Sequence, residues 1–539
     1  MRAIYQAMAI VLLLLLSITI ETEAAVNHQG GGTTGHDITH SGIDLRGYHW
    51  VVIEVDDWGG GATGSIANAT EYYELIDDGT GDIGFYHNST LESVSDMDDY
   101  FAVLAKHPDV VVTAYFVMEF MDGQSMLANE FTEYVGVPIN ETGFIERTKY
   151  NSSSDNYRGD IVPKWIEGYT NGYWLPQYHA RAHADMTWLL QNCSEGCETT
   201  INSVVNHSLG PVKMPGEPGA GYSKDEYQNS ILLTIQLGEC NKTTVEAQEN
   251  LTIGLAEFYD LFGFHSETTV PPGHRCSNNT LAAFRNTTIY GTSSAPGYGL
   301  NETGSIVNWD WHVFDYFDGI SIEGRSLSLN GKNITKLTTV MNAINTSFDR
   351  GQAAIFEDHR QGYVSGIRDT TAPGERNSSL QLLDELLTAI VTHYPDVWFL
   401  TTPELHQLNI KGYSVQNWTN KLVLRNALPS TQSIEVDLPS GWNSNHIRIK
   451  DDDGNVKGFS IQDSSIITVN VPHNDTFTIR QYTAPDLPAG GGGAPPATET
   501  EDGDELCGLS GDSCCGSTSA VMAVCVSWLG LVWTKRRSR

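Results

Sequence analysis

From Tyr48 to about Ile410, short apolar runs alternate with longer stretches of helical periodicity. The runs "HWVVIEV", "DVVVTAYFV", "GYWLPQY", "ISIE", "AAIFE" and "DVWFL" are strand-like, and several are continuously apolar. Strands buried on both faces read that way, whereas a strand with one wet face alternates. Between them, "SLQLLDELLTAIVTHY" places Leu380, Leu383, Leu387 and Ile390 at helical spacing and predicts a helix with one apolar face. Strands alternating with helices predict an α/β fold built on a parallel sheet or barrel, with length for about seven or eight βα units.

After "TTPELHQLNIKGY" the pattern changes. "NKLVLRN", "QSIEVDLP", "HIRIKD", "SIITVNVP" and "TFTIRQY" are short alternating runs separated by turn residues such as "DDDGN". They predict a small all-β sandwich domain over residues 412–483, behind the main domain over 47–411. Residues 484–516, rich in Pro and Gly and then acidic, read as a linker.

Two apolar segments stand apart from this pattern. "AMAIVLLLLLSITI" follows Arg2 and precedes the small residues of "TEAA", so residues 1–25 read as a secretory signal peptide, with a Gly-, Thr- and His-rich linker over 26–46. "TSAVMAVCVSWLGLVW" runs into "KRRSR", which predicts a transmembrane helix over 517–534 and a cytoplasmic basic tail over 535–539; the alternative is a cleaved sorting or lipid-anchor tail. The expectation is an exported protein at the cell surface, anchored in the membrane by one span with its bulk outside. Asn-x-Ser/Thr sequons recur from Asn68 to Asn474, in keeping with a glycoprotein. In an oxidising compartment Cys193, Cys197, Cys240 and Cys276 have the makings of two disulfides.

The 539 residues carry a formal charge of −35, from 66 acidic and 31 basic side chains. Such a surface repels nucleic acid, so a DNA or RNA partner is the class of function it argues against. Oligomeric state is not legible from it.

The run "VVIEVDDWGG" ends in adjacent carboxylates, Asp56 and Asp57. Successive strand residues point oppositely, but at a strand end both can turn to the mouth, and in a βα barrel active sites form there. Two adjacent acids repel unless a cation or a shared proton intervenes. A divalent cation would take one and leave the other as a base; otherwise the pair caps a turn into the Gly-rich loop. In "WLPQYHARAHADMTWLL", His179 and His183 stand four residues apart, which on a helix sets both imidazoles on one face within reach of one ion. Alone the spacing is weak, since His36 and His40 repeat it in the linker. Together, one carboxylate and two imidazoles are an ordinary ligand set for Zn²⁺ or a similar divalent cation. A water activated by that cation, beside a free carboxylate, is hydrolytic machinery. No G-x-S-x-G elbow or Walker A loop is present; "GGGATG" after the first apolar run fits G-x-G-x-x-G and could cradle an anion through backbone N–H groups, but the adjacent Asp56 and Asp57 argue against an anion there.

In order along the chain, "VDDWGG", "LPQYHARAH", "TTVPPGHRCSNNTL" and "IFEDHRQGYVSGIR" resemble the successive motifs of the polysaccharide deacetylase family. The likeness is strongest to a poorly characterised bacterial branch with a "DDWG" start, a "PQ-aromatic-H" segment and a late "HR" segment, and it covers about residues 48–408. The resemblance implies a distorted (β/α)7 barrel and metal-dependent hydrolysis of an N- or O-acetyl group from a sugar. By position it implies Asp56 as general base, Asp57, His179 and His183 as metal ligands, and His359 as general acid. Arg360 would orient a carboxylate, and Trp58, Pro271 and Pro272 would shape the substrate pocket. The implied partner is an acetylated glycan. Val270 stands where better-studied members carry an arginine that steadies the catalytic aspartate, and Glu357 stands where they usually carry an apolar residue. The alternative is an inactive barrel that binds carbohydrate at the cell surface, with the sandwich as a second binding module.

Overall fold

A computed structural model describes residues 40–60, 91–139, 160–183, 190–191, 193–196, 201, 244–272, 278–294, 299–300, 306–307, 314–317, 319–325, 327–329, 337–364 and 375–482. The expected signal peptide, acidic linker, transmembrane helix and basic tail lie outside the described residues, as do Cys197, Cys240 and Cys276. Among the described residues no helix is long and apolar enough to cross a membrane.

Each of the six apolar runs contains a strand of one sheet. Its members are β1 (Trp50–Trp58), β2 (Val112–Val117), β3 (Trp174–Ala180), β4 (Thr268–Thr269), β5 (Gly291–Ser294), β6 (Phe314–Phe317), β7 (Ile320–Gly324), β8 (Leu327–Ser328), β9 (Ala354–His359) and β10 (Trp398–Leu400). The order is β6-β7-β5-β4-β3-β2-β1-β9-β8, with β10 also on β1, and every pairing except β6 with β7 is parallel. Helices α1 (Val94–Leu104), α2 (Ile161–Thr170), α3 (Thr244–Phe262), α4 (Leu337–Asp349) and α5 (Glu375–His393) fall between strands along the chain. Leu380, Leu383, Leu387 and Ile390 of α5 are all buried.

The sheet cannot lie flat. β7 and β8 stand seven strand steps apart in that order, yet only residues 325–326 join them. Seven steps of a flat sheet span about 34 Å, whereas the three Cα–Cα steps of the link reach at most about 11 Å. The sheet therefore curls until its ends approach, which fits the distorted (β/α)7 barrel.

β1 is buried on both faces, as its continuous apolarity predicts. Val51, Ile53 and Val55 join the outer core with Phe101 and Leu104 of α1 and Leu383 and Leu387 of α5. On the opposite face Val52 packs with Ile355 of β9 and with Leu405 and Leu408 of α6 (Thr402–Lys411). α6 starts on a reciprocal Thr401–Glu404 capping box, has Pro403 in its first turn and stops at Gly412, whose φ of +81° is left-handed. Above this apolar floor the same row of β1 continues as Glu54 and Asp56, both buried.

Beyond α6, a five-stranded and a three-stranded antiparallel sheet run between Tyr413 and Gln481. Leu424, Ile434, Val436, Ile449, Val469 and Phe477 form their core. Barrel and β-domain belong to one compact unit. Arg425 donates to Glu404 of α6 at 3.2 Å, and the Trp418 ring stacks on Tyr169 of α2. One sequon asparagine, Asn250 of α3, is buried, and its Oδ1 accepts from Arg181 at 3.4 Å.

Candidate functional site

β1 runs in register with β9 up to the pair Asp56–His359. On its other edge the register against β2 slips between Val55 and Trp58. At the slip Asp57 adopts φ +71°, a left-handed conformation that non-glycine residues rarely take. The bend breaks the alternation of the strand. The Asp56 and Asp57 carboxylates both reach His179, one through its charge and one by direct contact, while Trp58 turns back into the outer core.

Several contacts hold that strained residue. Arg360 Nε donates to the Asp57 carbonyl at 2.6 Å, and Arg360 Nη1 donates to Glu92 Oε2 at 3.2 Å. Glu92 Oε1 in turn accepts the Gly59 N–H at 3.0 Å. Gly59 has φ +72°, and a Cβ there would come within 2.9 Å of the Val117 carbonyl oxygen. Only glycine fits the close approach and the torsion together.

Asp57, His179 and His183 bring their ligand atoms together within 4.8 Å. Asp57 Oδ1 lies 3.3 Å from His179 Nε2 and 3.2 Å from His183 Nε2. Ligands of a tetrahedral zinc ion with bonds near 2.0–2.1 Å stand about 3.3 Å apart. Asp57 Oδ1 is buried and has no hydrogen-bond partner, a costly state for a carboxylate oxygen unless a cation satisfies it. His179 Nδ1 donates to the Val270 carbonyl at 2.6 Å, which fixes the tautomer with Nε2 free to ligate. Gln361 Nε2 donates to Asp57 Oδ2 at 2.8 Å, so the second oxygen is engaged and the first faces the histidines. The three side chains thus fit a divalent cation.

Burial raises the Asp57 pKa, but the His183 charge and the close contacts of His179 and His183 outweigh it and hold the carboxyl well below its ordinary value. Burial lowers the His179 pKa, and the close approach of Asp57 with the Asp56 and Asp57 charges reverses this to a net rise. His359 is dominated by burial, which lowers it despite the nearby Asp57, Asp56 and Glu357.

Asp56 has a different partner. Arg325, buried in the link after β7, donates from Nη1 to Asp56 Oδ2 at 2.6 Å and from Nη2 to Asp56 Oδ1 at 2.7 Å. Burial raises the Asp56 pKa, and the Arg325 charge and hydrogen bonds, helped by His179 and His359, bring it below the ordinary value. Asp56 is therefore ionised at neutral pH and held in a fixed plane. The adjacent acids are thus separated by chemistry: one faces two imidazoles, the other a guanidinium.

Two expectations are corrected in detail and a third is made specific. His179 and His183 do not share a helix face. β3 runs through Ala180 because Met118 and Glu119 donate to the carbonyls of Ala180 and Arg181, so His179 lies at the strand end and His183 just past it. Trp58 does not line a pocket: it is fully buried, 4.9 Å from Trp174 and 5.5 Å from Tyr100 between ring centroids. The carboxylate that Arg360 holds in the contacts above is that of buried Glu92, and Arg360 also supports the Asp57 backbone. Pro271 and Pro272 are buried directly after Val270, whose carbonyl anchors His179. Val270 is itself buried, and the guanidinium on Asp56 comes from Arg325 instead.

Sequence reasoning missed Arg325, Gln361 and Glu54. Gln361 stands two residues after His359, and Glu54 two before Asp56 with the same side-chain parity, so strand period marked Glu54 as a neighbour of the site. Arg325 had no local signal in the sequence.

No family profile matches the chain, and no curated protein does. Solved structures similar to it include Agd3, a carbohydrate deacetylase, at 12% identity over 83% of this chain and 66% of that one, with a TM-score of 0.36. Another is the Xyl-CE4 domain of a multidomain xylanase from the hindgut metagenome of Trinervitermes trinervoides, at 11% identity over 69% of this chain and 96% of that one, with a TM-score of 0.28. A third is the 4-alpha-glucanotransferase of Thermococcus litoralis, at 10% identity and a TM-score of 0.35, covering 66% of this chain but only 39% of the glucanotransferase. TM-scores of this size carry no argument by themselves.

Proposed function

We propose that the chain is a divalent-metal-dependent hydrolase that removes N- or O-linked acetyl groups from a polysaccharide, cleaving an amide or ester bond. The observation that carries this reading is the unsatisfied Asp57 Oδ1 between two Nε2 atoms, beside a second carboxylate held separately by Arg325. The order of the sequence motifs supports the acetylated glycan as substrate class.

Asp57, His179 and His183 would hold the cation, with Zn²⁺ the first candidate. When bound, it supplies Lewis-acid polarisation of the acetyl carbonyl and acidifies a nearby water. Asp56 accepts the proton of the attacking water; Arg325 occupies two of its roughly four lone-pair sites and leaves the others for the proton. The proton that Asp56 takes from the water charges His359, in register beside it, to imidazolium, and His359 passes it to the departing nitrogen or oxygen as the bond to the acetyl carbon breaks. The products are acetate and a sugar amine or alcohol. Arg325 also answers the departure at Val270: the base has its guanidinium, so the arrangement favours a working site over an inactive barrel that only binds carbohydrate.

The test pairs metal analysis with acetate release from acetylated glycans. Asp56→Asn is expected to keep its metal and release no acetate, and Asp57→Ala to lose both. Absence of bound metal and of acetate release in the native protein sinks the reading. We further place the activity at the cell surface, on the strength of the N-terminal apolar run and the C-terminal "SWLGLVWTKRRSR". Protease accessibility of the catalytic domain on intact cells checks that placement.

A further inference from the structure

Glu54 lies below Asp56 on the same face of β1 and is completely buried. Its Oε2 accepts from Arg325 Nε at 2.6 Å. Its Oε1 accepts from Thr402 Oγ1 at 2.6 Å, Ser293 Oγ at 2.7 Å and Tyr115 Oη at 3.3 Å. One guanidinium thus bridges two carboxylates, with Nε on Glu54 and both Nη on Asp56. The Tyr115 ring lies against that guanidinium, 5.9 Å from its carbon.

The anchoring is lopsided. Arg325 is a long side chain on a short link between strands, and the site gains little if its rotamers stay free. Glu54 is tied to three regular elements: the first turn of α6 through Thr402, β5 through Ser293 and β2 through Tyr115. A guanidinium is planar, so fixing Nε and the two Nη atoms leaves it one orientation. For stability alone a second buried carboxylate here is a poor choice, because one arginine does not neutralise two acids.

We infer that Glu54 is a positioning residue, which aims Arg325 and through it the Asp56 carboxylate at the reacting atoms. This rests on the proposal that Asp56 is the base. Glu54 touches no substrate; it transmits the rigidity of α6, β5 and β2 to the base, as supporting hydrogen bonds do for a preorganised site.

The experiment is a double-mutant cycle of Glu54→Gln and Arg325→Lys on acetate release by the metal-loaded protein, together with NMR of ¹⁵N-arginine-labelled protein. Gln is isosteric with Glu and keeps an acceptor, whereas Lys cannot span both carboxylates. Misaiming the base is expected to lower kcat about tenfold to a hundredfold in each single variant, with KM within about threefold and metal stoichiometry unchanged. Glu54→Gln is expected to cost nothing further in the Arg325→Lys background, because residues acting through one another are not additive. The Arg325 Nε–H resonance, identified by its loss in Arg325→Lys, is expected to be downfield and slow to exchange in the native protein and to lose both features in Glu54→Gln. Independent, multiplicative losses overturn the inference, as does a Glu54→Gln enzyme with native kcat. If the native protein hydrolyses no acetylated glycan, the proposed function fails, and the NMR arm still decides whether Glu54 holds Arg325.

Discussion

Replacing Asp57 by Asn keeps the shape of the side chain and removes its charge, and two readings of the Asp57–His179–His183 cluster then differ in sign. Without metal, wild-type Oδ1 is buried, lacks a hydrogen-bond partner and faces two imidazole nitrogens at 3.2 and 3.3 Å. The carboxamide introduced by Asp57→Asn would keep an oxygen for the Gln361 N–H, now at 2.8 Å from Asp57 Oδ2, and turn its own N–H donors to the imidazoles. With the His179 Nδ1 proton committed to the Val270 carbonyl, Nε2 presents a lone pair, which a carboxamide N–H satisfies and a carboxylate oxygen does not. The metal reading therefore expects metal-free Asp57→Asn to be at least as stable as metal-free wild type. It also expects only wild type to respond to Zn²⁺. Saturation at a hundred times Kd contributes about 2.7 kcal/mol, which for a domain this large corresponds to a rise in Tm on the order of 3–5 °C. The alternative is that Asp57 merely closes ion pairs with protonated histidines. Removing one partner of a buried pair then costs roughly 3–5 kcal/mol, and metal changes nothing. Calorimetry of chelator-stripped protein, with and without Zn²⁺, Co²⁺ or Mn²⁺, separates the two. A variant several kcal/mol less stable than wild type, together with a wild-type Tm that no cation moves, would refute the metal reading.

Gln361→Leu removes the donor to Asp57 Oδ2 while leaving the three ligands in place. Metal affinity is expected to fall about 10- to 100-fold, measured by chelator competition, and an unchanged Kd means that Gln361 does not support the site. Asp358, on the opposite face of β9 from His359, accepts from the His359 N–H at 2.8 Å and from Tyr363 Oη, yet burial pushes its pKa up to about 7. A raised carboxyl pKa stabilises the fold below the unfolded value near 3.8, and that contribution is lost as pH rises through about 7. Asp358→Asn is therefore expected to gain stability relative to wild type between about pH 4 and 7 and to hold that gain above, by as much as about 4 kcal/mol. Parallel denaturant melts at both ends of that range check it, and a pH-independent difference contradicts it. Asn250 carries a sequon but is buried on α3 against Arg181, so it is expected to stay unmodified in a glycosylating host. A glycopeptide spanning Asn250 in a mass-spectrometric map would overturn that placement.

What the sequence could and could not show divides by how far each fact depends on distant residues. Strand and helix runs were legible because burial on both faces writes itself locally: Val51, Ile53 and Val55 meet α1 and α5, and Val52 meets α6. The metal cluster was legible as residue types but not as geometry. Strand period sends Asp56 and Asp57 to opposite faces, and only the φ of +71° at Asp57, held by Arg360 some 300 positions later, turns both toward His179. The histidine spacing suggested a helix, although β3 and the residues just past it do the same work. The curl of the sheet was the least legible fact and the one that matters most for the surroundings of Asp56. A parallel sheet and a barrel predict the same apolar runs, and the difference lies in a two-residue link. Because residues 325–326 join strands from opposite ends of the sheet order, Arg325 is carried to the interior beside β1, where Val270 leaves Asp56 without a guanidinium. Arg275 stands closer to Val270 in sequence but lies outside the described residues. Once the sheet curls, the residue on the link becomes the neighbour of Asp56 and Glu54 together, and its guanidinium bridges the two carboxylates.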